Sequence, residues 1–232
     1  MVAINSAAVR HFSLFEKMDA AKLDEVLAKA AVRHYPSGTS VFEQGEDALN
    51  FFVLLEGRLK VTQVTEDGQQ VIIRIVNPGE LFGFAKALQR MDYPGTATAA
   101  IDSVALAWPM SFWSTFIEQH APLATSAMQT IGQRLQESHV RLREMATEEV
   151  ERRVAHAVLR LADQSGKKEP DGIRIDFPLS KQDIAEMTGT TLHTVSRIMS
   201  AWQEKGLVKA GRQKLLICNP DRLLMLAEGR GR

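Results

Sequence analysis

The chain has 232 residues, a length that fits one large domain or two modest ones, and its 45% hydrophobic and 24% charged content is that of a folded globular protein, which excludes disorder and fibres. Its 28 Lys and Arg equal its 28 Asp and Glu, which argues against binding nucleic acid by bulk charge. The single cysteine, Cys218, excludes an internal disulfide, a multi-cysteine zinc site and an all-cysteine iron–sulfur cluster. Apolar runs such as 51–55 are far shorter than the roughly 20 residues of a membrane helix, and residues 1–10 hold no signal-peptide core. A cytoplasmic protein with no membrane partner is the expectation.

The charge is uneven along the chain. Residues 1–118 carry 10 Lys and Arg against 14 Asp and Glu, a net −4; residues 119–232 carry 18 against 14, a net +4. Within 190–217, Arg197, Lys205, Lys209, Arg212 and Lys214 stand against Glu204 alone. Such asymmetry marks a nucleic-acid-binding end, although a difference of this size also arises by chance.

In chain order, Leu23, Val26, Leu27 and Ala30 come first, with the spacing of a helix. From 35 to 108, short apolar runs alternate with turns. The runs are 39–42, 51–55, 59–64, 71–76 and 104–108, and glycines fall at 38, 45, 57, 68, 79 and 83. Asp67-Gly68 is a hairpin signal. Many short strands at regular spacing indicate a sandwich or barrel, here a jelly roll of two sheets. In this region His34, Glu43 and Glu80 fall on separate turns, are expected to be solvated, and suggest no metal site.

The next segment predicts one long helix over 123–146, about 36 Å at 1.5 Å per residue. Met128, Ile131, Leu135, Ser138, Leu142 and Met145 follow spacings of 3, 4, 3, 4 and 3, a heptad seam with a polar Ser at one position. So narrow a seam on so long a helix points to a partner helix and a homodimer rather than to packing within one domain.

Ser180 with Asp183 three residues on reads as a helix start close to a capping box, and Gly189 as its end. Thr191 caps the next helix, whose apolar face is Val195, Ile198, Met199 and Trp202. The opposite face carries His193, Ser196, Arg197 and Ser200. Helix, glycine turn, helix is the helix-turn-helix pattern, with the second helix as the major-groove reader. Residues 207–217 then read as a hairpin wing turning near Gly211. Arg197 is the first candidate for base readout, since Arg is the usual bidentate partner of guanine. His193 and Ser196 are the other base candidates; Ser196 can equally reach a phosphate or bond back to its own helix. Thr191, Ser200, Lys209, Arg212 and Lys214 suit the DNA backbone. Cys218 follows an apolar strand and reads as core.

These segments carry a family resemblance. The run Tyr35-Pro-Ser-Gly-Thr-Ser-Val-Phe-Glu-Gln-Gly-Glu-Asp, then Phe52-Val-Leu-Leu-Glu-Gly-Arg-Leu-Lys-Val, then Asn77-Pro-Gly-Glu-Leu-Phe-Gly resembles the cyclic-nucleotide-binding-type sensor of the Crp/Fnr superfamily. Residues 179–208 are similar to its DNA-binding motif, and the resemblance as a whole covers about 12–225. It implies an α+β chain with a jelly-roll sensor at 1–120, a dimerisation helix at 121–147 and a winged helix-turn-helix at 148–232. It also implies palindromic double-stranded DNA and RNA polymerase as partners.

Two departures matter. The superfamily's cyclic-nucleotide binders place a Glu and an Arg in the sensor where this chain has Phe84 and Gly95, so cyclic AMP is not the expected effector. The family's recognition-helix pattern Glu-x-x-Ser-Arg is here His193-Thr-Val-Ser196-Arg197; Ser and Arg match, and His193 does not carry the usual outer-base preference. That variant looks most like the nitric-oxide-responsive NnrR-type branch, which implies haem as cofactor. Among His11, His34, His120 and His139, the expected axial ligand is His11, with His139 second.

The function expected is a dimeric, sequence-specific transcription regulator responding to a small effector other than cyclic AMP. The alternatives are a regulator that binds DNA without an effector and a nucleotide-binding sensor with no DNA role. An enzyme is not expected: neither H-E-x-x-H nor G-x-S-x-G occurs.

Overall fold

A computed structural model describes residues 6–118 and 120–230. The chain divides into two compact units. One comprises the residues up to Val64 together with Arg74–Glu137; the other comprises Thr65–Ile73 together with the residues from Ser138 on.

The first unit opens with a one-turn helix α1 (Ser6–Val9) and α2 (Ala20–Ala28), which Asp19 caps by accepting from the Lys22 amide. Strands follow in chain order: β1 (Ala31–Tyr35), β2 (Ser40–Phe42), β3 (Asn50–Glu56), β4 (Leu59–Val64), β5 (Gln70–Val76, whose residues up to Ile73 are counted with the second unit), β6 (Leu81–Phe82), β7 (Thr96–Ala99) and β8 (Ser103–Pro109). They form two four-stranded sheets in the orders β1-β8-β3-β6 and β2-β7-β4-β5, the jelly roll expected from the strand spacing. The register Phe51↔Trp108 and Val53↔Leu106 sends one set of side chains to each face of the first sheet.

One face builds a core with the helices, where Phe51, Trp108 and Phe116 meet Leu23, Val26 and Leu123. Trp108 anchors α2 by donating its indole N–H to the Val26 carbonyl at 2.8 Å. The other face builds a core between the sheets from Phe42, Phe52, Phe82 and Tyr93, with ring centroids 3.8–6.1 Å apart. Gly57 makes one of the tight turns possible. Its φ is +93°, and a Cβ there would lie 2.1 Å from Ser103 Oγ, so only glycine fits.

After α3 (Trp113–Glu118) comes the long helix α4 (Ala121–Thr147), about 40 Å at 1.5 Å per residue. The second unit then adds α5 (Val150–Ser165), β9 (Gly166–Glu169), β10 (Gly172–Ile175), α6 (Lys181–Thr188), α7 (Leu192–Glu204), β11 (Val208–Gly211), β12 (Lys214–Ile217) and α8 (Pro220–Ala227). Its sheet has the order β11-β12-β10-β9. The wing hairpin is therefore half of a larger sheet than the sequence suggested, because Ile173 pairs with Ile217 and Arg174 with Leu216. No helix of the described residues is long and apolar enough to cross a membrane.

Candidate nucleic-acid interface and sensor site

The helix-turn-helix is set by its caps. Ser180 Oγ accepts from the Asp183 amide at 3.0 Å, and Asp183 Oδ2 accepts from the Ser180 amide at 2.7 Å, a complete capping box. Gly189 ends α6 with φ +61° and ψ +44°, the left-handed cap that lets the chain turn sharply. Thr191 Oγ1 then accepts from the Thr194 amide at 3.2 Å and starts α7. That hydroxyl also lies 3.0 Å from Thr194 Oγ1, and either of the two can donate to the other.

On α7 the four expected apolar residues, Val195, Ile198, Met199 and Trp202, are all buried. Trp202 also donates its indole N–H to Glu151 Oε1 at 2.8 Å, which fastens α7 to α5. The other face is turned to solvent: His193, Arg197 and Ser200 are exposed and Ser196 is half-buried. Among the described residues Arg197 makes no hydrogen bond or ion pair. It borders an open cleft of about 640 Å³ lined also by Glu149, Glu151, Thr190 and Thr194.

The wing turns at Arg212 and Gln213, with Gln213 at φ +58°, one to two residues beyond Gly211. Arg212 and Lys214 are exposed at this tip. Lys209 sits at the base of the hairpin instead, 3.0 Å from Asp171 Oδ2, each partner 67% exposed. The hydrogen bond to Asp171 raises the Lys209 ammonium above its ordinary value. Asp171 carried no signal in the sequence, because the turn between β9 and β10 reads as an unstructured charged loop. Cys218 is half-buried just after β12, and its amide donates to the Leu207 carbonyl at 2.9 Å.

Along α4, Met128, Leu135, Leu142 and Met145 are each more than half exposed, and Ile131 and Ser138 are exposed as well. A row of large apolar side chains on one helix stripe faces solvent in the single chain. That is the surface a second copy would cover.

In the sensor, Phe84 is buried, 6.0 Å from the Trp113 ring and stacked on it. A Cβ at Gly95 would lie 2.6 Å from the Thr62 carbonyl oxygen, so no side chain fits there without moving β4. Neither position can offer the polar group that the cyclic-nucleotide binders place there.

Glu80 corrects an expectation. It is not a solvated turn residue: its Oε2 takes Arg74 Nη1 at 2.7 Å and lies 3.9 Å from Arg134 Nη2, while its Oε1 accepts from Asn77 Nδ2 at 2.9 Å. Arg134, from α4, also donates to the Leu81 carbonyl, and its guanidinium carbon stands 4.8 Å over the Phe84 ring. Burial first, and the Arg74 charge second, push Arg134 down to about 9, against the pull of Glu80 and Glu137. His34, in β1, and Glu43 are exposed as expected.

The haem-ligand candidates are not brought together. His11 is exposed and its ring lies 4.0 Å from that of Phe12; His139 is exposed on α4. His120 is buried, with Nδ1 unpartnered among the described residues. A haem needs its axial imidazole inside an apolar slot, and the space between the sheets is filled by packed phenyl rings. The residues present do not fit the group. Among the described residues no three His, Cys, Asp or Glu converge as a metal site.

Comparison with known proteins agrees with both units. Residues 152–226 match the Crp-like helix-turn-helix domain, and residues 32–120 match the cyclic nucleotide-binding domain. A CRP-like cAMP-activated global transcriptional regulator of Mycobacterium tuberculosis is 22% identical over 87% of this chain and 98% of its own length. A global nitrogen regulator of Synechocystis is 26% identical over 86% of this chain and 89% of its own. The structure of FixK2 from Bradyrhizobium japonicum superposes with a TM-score of 0.74 at 21% identity, covering 85% of this chain and 96% of that one. Relatives with differently named activities thus share one scaffold, and the effector does not follow from the fold.

Proposed function

The chain belongs to the Crp/Fnr family of DNA-binding transcription regulators, and from that premise we propose that it acts as a homodimer, paired through the α4 seam, that reads a palindromic operator. The observation that carries this reading is α7: its apolar face is buried, its ends are capped, and the Arg197 side chain stands on its free face with no hydrogen-bond or ion-pair partner among the described residues. Arg197, with His193 and Ser196, contacts base edges. Thr191, Ser200, Arg212 and Lys214 contact phosphates, and Lys209 joins them on release from Asp171. RNA polymerase is the partner downstream. Two protomers place two recognition helices on half-sites about one helical turn apart. Selection of bound duplexes from a random pool tests this. Enrichment of an inverted repeat with that spacing supports it, and a pool with no enriched sequence refutes it.

The sensor's effector, on this reading, is a small molecule other than cyclic AMP, since burial of Phe84 and closure of Gly95 against Thr62 remove the family's nucleotide contacts. A second reading, operator binding with no effector, is favoured by the Glu80 carboxylate, which lies between Arg74 and Arg134. The NnrR-like pattern at 193–197 suggests nitric oxide sensed through haem, but His11 and His139 offer no cradle for it. Absence of a Soret band after haem reconstitution would end that suggestion. Operator affinity of the dialysed protein separates the first two readings: tight binding without additives supports the second, and its absence the first.

A further inference from the structure

We propose that the sensor needs no ligand to hold α4: the carboxylate of Glu80, by joining Arg74 of β5 to Arg134 of α4, fixes the seam of α4 for dimerisation and operator binding. The proposal rests on the effector-free reading above and names the residues that make it work.

The first two turns of α4 are held by apolar burial, at Leu123 and Ala127. Beyond Ala127 the stripe Met128, Ile131, Leu135 is exposed and gives this helix no grip on its own domain. Polar interactions supply that grip: those of Arg134 and, two turns further on, Arg141, which donates to the Ile73 carbonyl of β5. The Arg134 guanidinium donates to the Leu81 carbonyl at the end of the sheet, covers the face of Phe84 and approaches Glu80. Glu80 is fixed in turn from the sheet side by Arg74 and Asn77.

Burial separates this cluster from an ordinary surface ion pair. The side chains of Arg74, Arg134 and Glu80 are 16, 22 and 33% exposed, against 67% for both partners of Lys209–Asp171. A charge pair so withdrawn from water is screened little, and losing its carboxylate leaves two guanidinium groups close together without it. Glu137, one turn along α4 from Arg134, adds a second negative charge near the pair. The helix–sheet tie is thus anionic, aromatic-backed and intramolecular. A diffusible ligand that joined α4 to the sheet would have to provide the same carboxylate-like group.

The test uses the full-length protein, dialysed free of small molecules, and an operator found by selection. Glu80→Ala, Glu80→Gln and Arg134→Met are compared with wild type in operator binding, in sedimentation and in thermal melts. Wild type binds without additives and changes less than about twofold on adding acetate or cyclic AMP. Each variant loses about tenfold or more in operator affinity and dimerises more weakly. Acetate restores Glu80→Ala while chloride at equal ionic strength does not, and acetate leaves Arg134→Met unrestored. Should Glu80→Ala melt below the assay temperature, Glu80→Gln, which keeps the shape and loses the charge, decides. Unchanged affinity in Glu80→Gln overturns the proposal. So does a wild type that binds only after a small molecule is added, or a Glu80→Ala variant that chloride repairs as well as acetate. A wild type with no sequence preference on DNA is a different result, and refutes the regulator reading instead.

Discussion

On the proposed reading, replacing Arg197 by Ala should isolate base readout from the phosphate contacts. Arg197 lies on the exposed face of α7 and makes no hydrogen bond or ion pair with the described residues, so its loss should move the melting free energy by no more than about 0.5 kcal/mol. A bidentate Arg–guanine pair carries about 1–3 kcal/mol of discrimination. Two protomers present two such pairs on well-separated half-sites, so the two effects add to roughly 2–6 kcal/mol against the operator. Binding to random duplex should change far less, because it draws on phosphates. Fluorescence anisotropy on operator and scrambled duplexes, across a salt series, measures both. Arg212→Ala or Lys214→Ala should behave in the opposite way. Each removes about one neutralised phosphate per protomer, lowers the salt slope by about 0.9 per phosphate, and weakens both duplexes alike. Lys209→Ala should change the slope less than Lys214→Ala, since Asp171 already neutralises Lys209. If Arg197→Ala weakens operator and scrambled DNA by the same factor, the placement of α7 in the major groove is wrong.

Gly95→Arg should not create a cyclic AMP site. Its Cβ meets the Thr62 carbonyl at 2.6 Å, so it should cost about 1–3 kcal/mol of stability and give no heat in titration calorimetry with cyclic AMP, alone or with Phe84→Glu. Leu135→Lys should turn a dimer into monomers in sedimentation while the melt of the single chain holds, because Leu135 is 56% exposed before pairing. Gly189→Ala should destabilise by about 1–2 kcal/mol from φ +61° alone, since the Met145 methyl 3.0 Å from the new Cβ ends a flexible, exposed side chain that can move aside. A Met145→Ala background should therefore leave the destabilisation by Gly189→Ala nearly unchanged in thermal melts.

The helix-turn-helix was legible because each of its signals is local. Ser180 with Asp183 fixes a start, Gly189 a stop, and the i, i+3, i+4, i+7 run from Val195 fixes a face. The strands of the jelly roll with strong apolar runs, such as Asn50–Glu56, could be read for the same reason. Strands that owe their existence to pairing could not. Gly166–Glu169 reads Gly-Lys-Lys-Glu, a solvated turn by composition, and becomes β9 only because β10 offers it a ladder. Ala-rich β7 and the charged edge strand β1 are similar cases. The sensor cluster was illegible for a stronger reason. Glu80 looked like a turn acid, and what gives it meaning, Arg74 and Arg134, comes from a neighbouring strand and from a helix distant in sequence. No spacing rule links residues that only tertiary packing brings together.

Equal numbers of acids and bases do not make a surface neutral where it matters. In the second unit many cations are already paired within the protein: Arg152 with Glu148, Arg160 with Glu144, Lys167 with Asp176 and Arg174 with Glu169. On α7, just after it and at the wing tip, Arg197, Lys205, Arg212 and Lys214 have no such partner among the described residues. A phosphate displaces condensed counterions through the cations that remain unpaired, not through the formal sum, so pairing state decides where DNA binds. Two copies double this unpaired set, while the helix contacts that choose the sequence are spaced by the dimer. On the proposed reading the neutral total then acts in favour of specificity: binding to arbitrary DNA should stay weak, and base contacts by Arg197 should account for a larger share of the affinity.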